Sequence, residues 1–147
     1  MNRRKIMTAV SALAAAAALL ATATPATADT GGGFATMYSL ADGPCVAQVK
    51  SSVHSPAYPN AAGFTVETLM PGVGPCHLDV TLQWHNVDTG ESGTFTQTAV
   101  GPGIWMTPGR SHIFYPGFGR FVGTVSLGPA HFPESGEVAF TVEPYQD

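Results

Sequence analysis

Histidine is the side chain best suited to chemistry near neutral pH, because it titrates there and ligates metals. Two of the five histidines share one stretch with a carboxylate: His77, Asp79 and His85 fall at even spacings. In an extended strand that spacing puts all three on one face. His77 and Asp79 would stand about 7 Å apart, with His85 about 20 Å further on. The first two are candidate metal ligands. A catalytic zinc needs a third protein ligand and an open position, which His54, His112 or His131 would have to supply. The competing expectation is the solvated polar face of an antiparallel sheet. A solvated face is the favoured expectation, so no metal and no other cofactor is expected.

Nucleophilic chemistry has still less support. The sequence contains no G-x-S-x-G elbow, no H-E-x-x-H and no phosphate-binding loop. Ser111-His112 and His54-Ser55 are adjacent pairs, but neighbours on a strand point to opposite faces, so adjacency makes no catalytic dyad. No catalytic residue is assigned.

Aromatic side chains offer more. Residues 103–120 hold Trp105, Phe114, Tyr115 and Phe118 with Arg110 and Arg120, punctuated by Pro-Gly turns. Exposed, Trp105, Tyr115 and Phe118 would stack on sugar rings or anchor in a protein pocket, with the two arginines donating hydrogen bonds. Phe114 and Phe121 read instead as core. Phe118, inside Pro-Gly-x-Gly, reads as an exposed turn residue.

The elements that must position these groups are strands. Gly and Pro supply 17 and 12 of 147 residues with no collagen period, and both disfavour helices. The apolar pattern has a period of two, with turn residues every 8–12 positions, the signature of a sandwich or barrel. The clearest strand is 78–85, where Leu78, Val80, Leu82 and Trp84 face one way. Asp88-Thr89-Gly90 supplies a hairpin turn, and 93–100 is the return strand. Further strands are expected at 34–40, 45–53, 64–70, 104–107, 111–115, 120–127 and 137–143, with a proline-containing loop at 55–62. One echo occurs at an offset of 45: Pro71-Gly72-Val73-Gly74 matches Pro116-Gly117-Phe118-Gly119, and Val80-Thr81-Leu82 matches Val125-Ser126-Leu127. Duplication or similar turn chemistry would each explain it.

The N-terminus reads as an address. Basic Arg3-Arg4-Lys5, an uncharged Ala-rich run over 6–24 and the Ala26-x-Ala28 pattern make a secretory signal cleaved after Ala28. A retained membrane helix is the competing reading. With 1–28 removed, three basic and ten acidic residues remain in 119, a net charge of −7. Such a field repels phosphate backbones, so nucleic acid and anionic membranes are poor partners. No lipidation site or hydrophobic C-terminal tail is present, so no stable membrane anchor is expected. Cys45 and Cys76, an even count in an exported chain, read as one disulfide.

The expected organisation is a cleaved leader (1–28), a flexible lead (29–33) and a single all-β antiparallel β-sandwich (34–147) of seven to nine short strands. It resembles immunoglobulin-like sandwiches in layout only, since Trp84 lies beyond the second cysteine rather than between the pair. The functional expectation is a secreted binding module for an extracellular protein or glycan. A small extracellular enzyme or metal protein is the first alternative, and an inhibitor of an extracellular hydrolase, using the loop at 52–63, the second.

Overall fold

The computed structural model describes residues 30–146. The expected leader and cleavage site at 1–28, and Asp29, lie outside the described residues.

Eleven strands follow one another: β1 (Thr30–Gly33), β2 (Met37–Leu40), β3 (Val46–Tyr58), β4 (Ala61–Met70), β5 (Cys76–Asn86), β6 (Ser92–Gly101), β7 (Gly103–Met106), β8 (His112–Phe114), β9 (Gly119–Leu127), β10 (His131–Phe132) and β11 (Val138–Val142). The only helical element among the described residues is one 3-10 turn at Pro108–Arg110. All pairings are antiparallel. The larger sheet runs β10-β2-β3-β4-β7, with β1 added to β3 and β8 to β4; the smaller runs β11-β9-β5-β6. The two stack as a β-sandwich.

Period-two patterning drives this arrangement. Val49 and Val53 of β3 and Phe64, Val66 and Met70 of β4 point inward from the larger sheet. Leu78, Val80 and Leu82 of β5 and Phe121, Val125 and Leu127 of β9 meet them from the smaller one. Phe121 stacks on Phe140 at 5.1 Å between ring centres, and Trp84 meets Phe121 edge-on at 5.7 Å. Fully burying each such side chain is worth about 1.5–3 kcal/mol. The disulfide Cys45–Cys76 is formed. It joins the segment leading into β3 to the first residue of β5, and so ties one sheet to the other.

Nine of the strands fall on expected segments, with ends shifted by up to five residues, and β1 and β10 raise the number among the described residues to eleven, above the seven to nine expected. The lead at 29–33 was expected to be flexible, yet Thr30–Gly33 pairs with Ser55–Ser52 of β3. Glycine makes this possible: at Gly31 (φ +124°) a Cβ would collide with the Val53 carbonyl. Thr30 locks the strand further, its hydroxyl both donating to the Thr141 carbonyl and accepting from the Thr141 N–H. The expected loop at 55–62 is instead the tip of the β3–β4 hairpin. Its register shifts between His54 and Tyr58, the kind of irregularity at which a sheet tolerates proline, here Pro56. Asn60 turns the chain at φ +63°, a conformation open to asparagine. The matched segments of the internal echo lie side by side, Val80-Thr81-Leu82 pairing antiparallel with Leu127-Ser126-Val125.

Candidate functional site

The outer face of the smaller sheet is polar and satisfied by its own members. Thr81 and Thr96 hydroxyls meet at 2.9 Å, Gln83 donates to Ser126 at 3.2 Å, and His85 Nδ1 lies 3.1 Å from Ser92 Oγ. The two weak metal candidates share this face but serve different partners. Thr98 donates to Asp79 at 2.6 Å, and His77 lies 3.3 Å from Asp42. Among the described residues no three His, Cys, Asp or Glu side chains converge as a metal site would require. His112 meets Gln97 at 3.2 Å and packs edge-to-face with Phe95, 5.1 Å between ring centres. Ser111 and His54 approach each other above Gly63, where a larger side chain would strike both. No hydrogen bond joins them, and the Ser111 hydroxyl is buried without a partner.

The segment 103–120 does not form one cluster. Trp105, opposite Thr68 on β4, is half-buried and packs against the core. Phe114 pairs with Ala62 on the same strand, six residues away and therefore about 20 Å along the sheet. Tyr115 and Phe118 are exposed, and Phe114 and Phe121 are buried. Arg110 sits at the end of the 3-10 turn. Arg120 is engaged within the fold: its guanidinium donates to Asp88 Oδ1 through Nε at 2.9 Å and Nη2 at 2.6 Å, while its backbone N–H donates to Oδ2 at 2.7 Å. These side-chain and backbone hydrogen bonds hold the Asp88 carboxyl below its usual range and raise the Arg120 guanidinium. Trp105 is thus separated from the two exposed aromatics, and Arg120 braces a turn.

A different surface gathers exposed apolar groups. On the outer face of the larger sheet, Phe132, Tyr38, Gln48, Leu69 and Ile104 occupy successive register positions on β10, β2, β3, β4 and β7. The row therefore crosses five strands, about 19 Å at the usual strand spacing. Leu40 and Val46 form the next pair on one side, and Met106 lies on the other. Ile104 and Phe132 are 74% and 78% exposed, so this is surface, not poorly covered core. Its polar content is small. Gln48 donates to the Tyr38 hydroxyl at 3.0 Å, and Lys50 stands opposite Glu67 one row away.

A sequence signal for this face exists. Where only one face of a strand is buried, apolar residues alternate; where both are covered, they run on. Met37-Tyr38-x-Leu40, Leu69-Met70 and Ile104-Trp105-Met106 are such runs. They belong to three strands far apart in sequence, and only the register aligns them. The chain matches no protein-family model, no curated protein and no solved structure.

Proposed function

We propose that the protein is an exported binding module that docks on another protein through the outer face of its larger sheet. The carrying observation is the in-register row of Phe132, Tyr38, Leu69 and Ile104, flanked by Leu40, Val46 and Met106. Contiguous exposed apolar surface of this kind marks interaction sites. Aliphatic side chains predominate and the one opposed charge pair is internally balanced, which suits an apolar, uncharged protein surface. A glycan would need more hydrogen-bonding groups around the two aromatics than Gln48 alone supplies. Export rests on the leader pattern at 1–28 and agrees with the disulfide. Net −7 after cleavage makes nucleic acid an unsuitable partner.

The test is site-specific photocrosslinking of the secreted protein in its native culture fluid. Probes at Leu69 and Ile104 should capture one recurrent protein that probes at Thr81 and Thr124, on the opposite face, do not. The double variant Leu69→Thr/Ile104→Thr should keep the fold and lose that adduct. Equal labelling from both faces, or binding on a glycan array that survives the double variant, would overturn the reading.

A further inference from the structure

Sheet edges offer unpaired N–H and C=O groups to any passing strand, and proteins blunt them with short strands, prolines, charges or bulges. Most edges of this sandwich follow that rule. β10 has two residues between Pro129 and Pro133; β7 has four between Pro102 and Pro108. β8 has three and is soon followed by Pro116, and β11 has five with Pro144 close behind. β6 is the exception. It is ten residues long, contains neither proline nor charge, and pairs with β5 through ten consecutive positions without a bulge. Among the described residues its other side has no strand partner.

We infer that β6 is a self-association edge, on which a second copy of the chain adds its own β6 antiparallel across a two-fold axis at Thr96. This does not depend on the apolar face of the other sheet. The sequence of the strand is its own complement in that register. Thr94, Thr96 and Thr98 alternate on the solvent face, so Thr96 meets Thr96 and Thr94 meets Thr98 of the second copy. Threonine pairs directly across strands are favourable. Glu91, the nearest acid in sequence, falls opposite Gly101 of the second copy, so the acidic ends of two chains with net −7 stay about 30 Å apart. A parallel pairing would oppose them. The inner face of β6 is already filled and needs no rearrangement: Gln97 is buried, meets His112, and donates its amide to the Thr96 carbonyl at 3.2 Å. A pairing strand leaves that acceptor in place or takes it over. The product is one continuous eight-stranded sheet with the order β11-β9-β5-β6 repeated in reverse.

Sedimentation of the secreted protein over a range of concentrations tests this. The wild type should reach twice the monomer mass. Thr96→Lys and Thr96→Glu should each raise the dimer dissociation constant about tenfold while keeping a folded circular-dichroism spectrum, because a threonine pair is lost and like charges meet on the axis. Mixing the two variants should restore the dimer, an outcome that misfolding cannot mimic. A wild type that stays monomeric throughout overturns the inference and leaves the edge to an extended segment of another protein. Dimers that survive Thr96→Lys but dissociate in Leu69→Thr/Ile104→Thr would also overturn it, placing self-association on the apolar face.

Discussion

Replacing Asn86 with alanine should destabilise the protein by uncoupling two of its turns. Asn86 is the last residue of β5 and is 1% exposed. Its Oδ1 accepts from the backbone N–H of Asp88 at 2.9 Å and of Thr89 at 3.1 Å, and its amide donates to the Phe118 carbonyl at 2.9 Å. The side chain therefore ties the β5–β6 turn to the turn entering β9. The two lost acceptor bonds cost about 0.5 kcal/mol each, because Asp88 and Thr89 are exposed and water can replace the partner. The Phe118 carbonyl is partly buried, and orphaning it costs about 1–2 kcal/mol. The total is about 2–3 kcal/mol, which at roughly 4 °C per kcal/mol lowers the melting temperature by about 10 °C. Guanidinium and thermal denaturation, both followed by circular dichroism, measure it. Asn86→Asp keeps the acceptor but turns a carboxylate oxygen toward the Phe118 carbonyl. It should be destabilised at neutral pH and recover relative to the parent as the pH is lowered. If Asn86→Ala costs less than about 0.5 kcal/mol, the two turns are not coupled through this residue and the reasoning fails.

Three further outcomes follow from the same structure. Reducing Cys45–Cys76, whose sequence separation is 31, should remove about 3.7 kcal/mol on the chain-entropy relation, read as a shift in denaturation midpoint with and without reductant. Asp88 is held below its usual range by hydrogen bonds from Arg120, so its ionised form favours the folded state. That contribution is present above the ordinary carboxylate range near pH 4 and is lost as the pH falls through the lower folded value. An acid titration of stability should therefore be flatter for Asp88→Asn than for the parent, and identical profiles would remove the pair from the account. Gly31→Val should detach β1 at a cost of about 1–3 kcal/mol, seen as faster amide exchange at 52–55 with the remaining sheets intact; unchanged exchange there would show that β1 tolerates a side chain.

Much of the architecture is legible along the chain because strand patterning is local. The alternation at 78–85 identifies β5, its buried face and its polar face without reference to any partner, and the Asp-Thr-Gly turn fixes the return of β6. The pairing of Thr30–Gly33 is not legible in the sequence, because three glycines carry no pattern. What orders them is the bare backbone of Val53–His54 on a strand twenty residues away, which accepts a neighbour lacking Cβ atoms. The engagement of Arg120 is illegible for a related reason, since its carboxylate partner, Asp88, sits in a turn 32 positions earlier.

By itself, the sequence determined the all-β class, the approximate positions of nine strands and the cysteine pair. Each of these depends on residue type and short-range spacing, on which backbone preference and side-chain alternation act directly. Tertiary structure alone decided which exposed apolar residues become one surface and which strand is left with an open edge. Phe132, Tyr38, Leu69 and Ile104 come from four separate stretches and meet only through cross-strand register. The exposure of β6 is a property of strand order, not of its own residues. Outside the hairpins, register and strand order are set by pairing between segments distant in the chain.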